Sequence, residues 1–264
     1  MLKNVSRSLS QYRERLFYEI PIEFYTFVSN FKQNTRMIEK LRVTASEIYD
    51  LLLNEFKIKE QIGSIEITLG GISAKYNGKD AIGDLLQEWL GKWLKQKNFY
   101  FRQPAHTQSF PDFLLTESIN SGFLELKTFN ADASPAFDIA NFDSYCTSLL
   151  MIPERIDADY LIICYKMVNA QLSIDNIWLK KVWELTSPSG PDPIKLQVKR
   201  KQIYNLRPCT WYSNRLKYVP FKNKNDFLMA LAETHNLYPQ CEQYKTDWLK
   251  KVKTQYFKNT GIKL

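Results

Sequence analysis

Histidine is scarce in this chain of 264 residues: only His106 and His235 occur, so a histidine-based metal centre or a proton-shuttling triad is poorly supplied. Cysteine is little richer. Cys146, Cys164, Cys209 and Cys241 are scattered and form no C-x-x-C pair, which argues against a zinc ribbon or a disulfide framework and predicts reduced, buried thiols. Glycines gather in "LGGISAKYNGKD" without the spacing G-x-x-x-x-G-K-[ST], so a phosphate-cradling loop of that kind is missing. No apolar run is long enough to span a bilayer, and the opening "MLKNVSRSLSQYRERLFYEI" is too charged for a secretory signal. A soluble, cytoplasmic protein is expected. Acidic residues are in deficit as well: 28 Asp and Glu face 36 Lys and Arg, and the net charge of +8 favours a polyanionic partner.

What the chain does contain is a short stretch in which charge interrupts apolar strands. In "SFPDFLLTESINSGFLELKTF", residues 109–129, Phe110 to Leu115 and Phe123 to Phe129 read as two strands around polar turn residues. Strand alternation places Glu125 and Lys127 on one face and Leu124, Leu126 and Thr128 on the other. Asp112 and Glu125 are thirteen positions apart, so a loop with an even number of residues puts both acids on the same face. A six-residue loop, Thr116 to Ser121, sets them directly opposite, roughly 5 Å apart at the backbone. A two-residue turn at Asn120-Ser121 would separate them by roughly 13 Å. Buried charge is costly unless it is paired or binds metal. A cross-strand salt bridge would account for one acid, but one lysine cannot compensate two. Two converging carboxylates suit Mg²⁺, which keeps several waters and binds through one or two carboxylates plus phosphate.

Pro111, Asp112, Glu125 and Lys127 together resemble the PD-(D/E)XK nuclease superfamily. The resemblance implies metal-dependent phosphodiester hydrolysis, with Asp112, Glu125 and the Leu126 carbonyl as ligands of Mg²⁺, for which Mn²⁺ would substitute, and Lys127 beside the attacking water. It also implies that a helix ahead of the core strands supplies a further acid, for which Glu88 is the candidate, although its position off the apolar stripe also reads as an ordinary solvent-facing glutamate. Glu55-Phe56-Lys57 and Pro191-Asp192 each offer half of the motif and lack the other half.

The surrounding pattern predicts an α/β fold: a central mixed β-sheet flanked by helices, a restriction-endonuclease-like core, with an N-terminal helical layer. Residues 1–60 read as that layer, with "ASEIYDLLLNEF" the clearest amphipathic stretch. The catalytic core is expected over 79–168. It begins with a helix carrying the apolar stripe Ile82, Leu85, Leu86, Trp89, Leu90 and Trp93, followed by "NFYFRQ" as first core strand and then the hairpin. A helix capped by Ser134 with Pro135 at its first position then crosses over to the buried strand "DYLIICYKM". "IWLKKVWEL" and "IKLQVKRKQIYN" are expected to extend the sheet, and "DFLMALAETHNLY" and "DWLKKVKTQYF" to close the chain as helices. No internal repeat or linker appears, so a single domain is expected.

Residues 170–225 hold the inventory for DNA reading: Gln197, Lys199, Arg200, Lys201, Gln202, Asn205, Arg207, Asn214 and Arg215. At strand spacing, Gln197, Lys199 and Lys201 would share one face, and Arg200 and Gln202 the other. A chain of this size and basicity with this core looks most like a type II restriction endonuclease, which implies a homodimer cutting a short, palindromic double-stranded DNA site. Other readings of the same residues are a repair nuclease or Holliday-junction resolvase, a DNA-binding protein that does not cut, and a carboxylate-pair glycosidase, which Lys127 and the basic surface fit poorly.

Overall fold

The structure, a computed structural model, describes residues 40–78, 80–104, 109–244 and 246–264. Most of the expected N-terminal layer lies outside these residues. Its described part is the helix α1, Ala45–Asp50, which continues as a π-turn over Leu51–Glu55. Thr44 and Glu47 cap it reciprocally, each side chain taking the other's backbone N–H, which satisfies two donors that a helix start leaves open. Leu41–Leu264 form one compact unit.

Its centre is a five-stranded sheet in the order β1, β8, β7, β5, β4: Ile62–Ser64, Gln171–Lys181, Asp159–Val168, Phe123–Asn130 and Phe113–Leu114. β5 and β7 run parallel and every other pairing is antiparallel, so the sheet is mixed as expected. Between β1 and the core helix, Glu66–Leu69 and Ile72–Lys75, β2 and β3, form an exposed hairpin. The parallel pair is joined across one face by α3, Phe142–Met151.

Alternation along the strands divides the apolar residues into two cores. Tyr160, Ile162 and Cys164 of β7 and Phe123 and Phe129 of β5 face α3, α5 (Lys224–Leu237) and α6 (Trp248–Thr260). Leu161, Ile163 and Tyr165, with Leu124 and Leu126, face α1 and α2 (Ile82–Gln96). In α2 the buried ridge is Ile82, Leu86, Leu90 and Leu94 with Trp93, an i, i+4 series, and Leu85 of the expected stripe is exposed instead. All four cysteines are buried and none forms a disulfide. His235 is a core residue packed among Phe142, Tyr244 and Trp248, and burial holds its imidazole down to about 4. No helix among the described residues is long and apolar enough to cross a membrane.

Four expectations change. "NFYFRQ" is not a continuous strand. Its backbone is shared between two neighbours, Tyr100 N–H donating to Leu41 C=O and Arg102 pairing with Leu114, so no ladder grows on either side. The cap of the crossover helix lies seven residues after Ser134, because the intervening chain is used as strand: Ile139 N–H donates to Leu206 C=O, and Ala140–Asn141 is β6. Asn141 is the cap, its Oδ1 accepting from Ser144 N–H at 3.0 Å. The basic segment does not extend the central sheet. Leu196–Lys199 and Gln202–Leu206, β9 and β10, form a separate sheet with β6. Finally, "IWLKKVWEL" leaves the strand at Lys181 and closes with a helical turn, α4, Val182–Leu185.

Candidate active site

In the hairpin of β4 and β5, Phe113 pairs with Leu124 and Leu114 with Phe123, and Leu115 N–H donates to Gly122 C=O. That is the register of the six-residue loop, and one step further along it Asp112 lies opposite Glu125. Pro111 has no N–H to offer a ladder, and the carboxylates take over the pairing where the strand ends. Asp112 N–H donates to Glu125 Oε2 at 3.1 Å, and Leu126 N–H donates to Asp112 Oδ2 at 2.7 Å. Lys127 Nζ lies 2.9 Å from Glu125 Oε1. Both acids are over nine-tenths buried, at 8% and 7% exposure.

One ammonium beside two carboxylates leaves the site short of positive charge. Burial, then the neighbouring Glu125 carboxylate, push the Asp112 carboxyl up to about 7, against the pull of Leu126 N–H and Lys127. Asp84 adds to the upward push. Among the described residues no group of three or more His, Cys, Asp and Glu side chains is arranged to hold a metal, so the donor set is a pair and not a cage. A pair of crowded, desolvated carboxylates fits a hard cation that keeps its own waters.

The trio lies on a cleft of about 770 Å³ whose lining comes from separate parts of the chain: Gly83, Asp84 and Gln87 of α2, Asn141, Ser144, Tyr145 and Ser148 at the start of α3, Arg155, Asp138 and Asn205. Among the acids of α2, Asp84 reaches the cleft, whereas Glu88 is exposed and does not line it. Gly83 explains the difference. A Cβ there would stand 3.2 Å from Thr128 Oγ1, so the helix meets β5 closely at its first turn and delivers Asp84 there. In the sequence, the only mark of this was Gly83 standing one residue before Asp84.

The basic segment is resolved into parts with different surroundings. Arg200 and Lys201 are the two turn residues of the β9–β10 hairpin, so neither belongs to the strand faces expected for them. Both stand at positive φ, 52° and 65°. Lys199 and Gln202 flank them, all four are exposed, and Lys199 Nζ lies 5.5 Å from the centre of the Tyr204 ring. At the other end of the hairpin Asn205 lines the cleft and its Nδ2 donates to Gln197 Oε1 at 2.9 Å. Arg207 is ion-paired with Asp138 at the cleft wall. Asn214 and Arg215 are exposed and line no part of the cleft.

The chain has counterparts in fold and sequence. The fold superposes on that of NlaIV restriction endonuclease with a TM-score of 0.81 over 85% of this chain and 92% of that one, at 36% sequence identity. The type II restriction enzyme NlaIV of Neisseria lactamica is 38% identical over 222 residues, 83% of this chain and 91% of the relative. The type II restriction enzyme NgoBV of Neisseria gonorrhoeae is 40% identical over 149 residues, 55% of this chain and 84% of the relative. Fold and sequence thus define a type II restriction endonuclease. The profile of the NgoBV restriction endonuclease family matches residues 42–264, and the chain belongs to that family. Of the readings open to the sequence, the resolvase, the non-cutting binder and the glycosidase fall away.

Proposed function

We propose that this endonuclease cuts both strands of duplex DNA within a short palindromic site, as a homodimer that uses Mg²⁺, by chemistry of the PD-(D/E)XK kind. The observation that carries the reading is the buried pair Asp112 and Glu125, in register across the hairpin, with Lys127 bonded to one of them at the floor of a cleft. Asp112, Glu125 and the Leu126 carbonyl would hold the cation, with Asp84 the nearest further acid. Mg²⁺ supplies the positive charge that offsets the charge developing on the attacked phosphate. Lys127, fixed by Glu125, orients the attacking water and adds its own charge. Leu126 N–H holds one oxygen of Asp112, which fixes the direction of the carboxylate before DNA arrives.

Incubation of the protein with plasmid and Mg²⁺ should give discrete fragments, and light scattering on the free protein about twice the mass of 31.1 kDa. A smear would indicate nonspecific cutting. A monomer that stays monomeric on its cut site would replace concerted cleavage by sequential nicking and remove the argument for a palindrome.

We place DNA recognition on the β9–β10 hairpin. Two-residue hairpin turns with positive φ at both positions favour Asn-Gly, since a side chain there costs roughly 1 to 2 kcal/mol. Arg200 and Lys201 occupy them, so two exposed cations are presented at a conformational cost that a charged partner would offset. Lys199→Ala and Lys201→Ala should weaken binding to cognate and random duplexes alike and lower the salt slope by about one each. Asn205→Ala should lower affinity for the cognate site by roughly 1 to 3 kcal/mol and relax preference at one base pair. Affinities of both duplexes unchanged across a salt series would move recognition off this hairpin. Arg207→Ala needs Asp138→Asn as its control, because removing the arginine also strands the aspartate.

A further inference from the structure

The cleft holds more polar groups than the acid pair uses. Arg155 lines it from the turn Pro153–Asp157, and Tyr145 from α3. Tyr160 does not line the cleft but stands beneath it on β7, at the position paired with Glu125, so its ring shares the face of the acids. Arg155 Nε and the hydroxyls of Tyr145 and Tyr160 are all buried without a hydrogen-bond partner among the described residues. Tyr145 and Tyr160 are 5% and 0% exposed. The two hydroxyls lie near enough to Arg155 to act on its charge, and Tyr160 near enough to Glu125 and Asp112 to feel theirs. No carboxylate among the described residues is within ion-pairing distance of Arg155, whose guanidinium lies over the Phe110 ring at 5.4 Å.

Three unpaired donors converging beside two acids do not fit a structural role. A buried donor left unsatisfied costs about 1 to 3 kcal/mol, and an arginine placed to balance Asp112 or Glu125 would be bonded to it. Glu125 is already answered by Lys127, at 2.9 Å. One ligand accepts from a guanidinium and the phenol beside it and tolerates the neighbouring cation site: a tetrahedral phosphate with two charged oxygens.

We propose that Arg155 and Tyr145, with Tyr160 buried behind them, form a phosphate site that holds one backbone phosphate of the bound duplex next to the acid pair and so positions the strand for cutting. The proposal rests on the nuclease reading of Asp112, Glu125 and Lys127. The three side chains are positioning residues. None of them need exchange a proton with the DNA.

The test starts from the cut site mapped on plasmid, synthesised as duplexes in which one phosphate at a time is replaced by a neutral methylphosphonate. Wild-type protein should lose about tenfold or more in single-turnover rate at one or two positions. Arg155→Ala should lose about 10- to 100-fold on the unmodified duplex, in line with a charge-assisted hydrogen bond. At one of the sensitive positions it should lose nothing further. Tyr145→Phe and Tyr160→Phe should melt at or above the wild-type temperature, because each removes an unsatisfied hydroxyl, yet cut the unmodified duplex severalfold more slowly. Where Arg155→Ala fails to fold, Arg155→Lys and the two phenylalanine variants make the same comparison. Losses that multiply at every position, or phenylalanine variants with wild-type rates, overturn the phosphate site. Wild-type cleavage by Asp112→Asn would instead overturn the nuclease reading beneath it, and an Asp112→Asn that is dead while Arg155→Ala multiplies everywhere removes this proposal alone.

Discussion

Asp112→Asn, Glu125→Gln and Lys127→Ala each lower cleavage of the mapped site by roughly 10³-fold or more while the protein stays folded. The size of the loss follows from what each group does. Asp112 and Glu125 are the two acids that converge on the cleft floor, and Lys127 Nζ is bonded to one of them at 2.9 Å. Near-wild-type cleavage by any one variant removes that residue from the mechanism. Asp112→Asn carries a second expectation that a purely structural acid would not share. In the free protein its carboxyl is held up at about 7 against an ordinary 3.8, by burial first and by Glu125 second. A folded pKa above the unfolded one means that the native state binds the proton more tightly. Its contribution to stability is therefore complete below about 4 and is lost as pH rises to about 7. At pH 8 and without metal, Asp112→Asn should be more stable than wild type by on the order of 4 kcal/mol. At pH 4 the two should melt together. Equal stability of the two proteins at pH 8 would show that Asp112 is not strained by its surroundings, and denaturant unfolding of both at the two pH values decides it.

How much of this was legible in the sequence depends on how local the information is. The register of Asp112 on Glu125 follows from strand period and loop parity, both read within twenty residues, and the structure has that register. Burial of Leu86, Leu90 and Trp93 follows from helical spacing in the same way. The second sheet was not legible. Pairing of β10 with β6 joins residues more than sixty positions apart, and nothing in "SPAFDIAN" marks it as strand. Ser134-Pro135 has the chemistry of a helix start, but that chemistry states only what a helix start tolerates. Asn141 has it too, and the pairing of Ala140 with Leu206 decided between them. The cleft lining was the least legible of all. Asp84, Tyr145, Arg155 and Asn205 come from two helices, a turn and a hairpin, and converge only through the packing of those elements around the central strands. Glu88 lies off the apolar stripe of α2 and is exposed, in keeping with a solvent-facing glutamate, while the approach of Gly83 to Thr128 brings the first turn of the helix, with Asp84, to the cleft.

Chelation should abolish cleavage altogether and leave DNA binding intact, and uptake of the cation should itself be linked to protons. A metal bound by Asp112 needs the carboxylate, while the free protein keeps that carboxyl protonated below about 7. Each cation taken up below that pH must therefore displace a proton. The affinity for Mn²⁺, followed by the loss of its free-ion paramagnetic resonance signal, should rise about tenfold per pH unit from 5 to 7 and level off above about 8. In Asp112→Asn the site should bind Mn²⁺ weakly and without that pH dependence, since the group that exchanges the proton is gone. Glu125→Gln should also bind weakly, but for a different reason and with a different signature. It removes the like charge that helps to hold Asp112 up, so whatever pH dependence remains should move to lower pH. Wild-type affinity that is flat from pH 5 to 8 would mean that Asp112 does not hold the ion. Affinity that rises with pH equally in wild type and Asp112→Asn would assign the proton to another group in the cleft, with Asp84 the first to test.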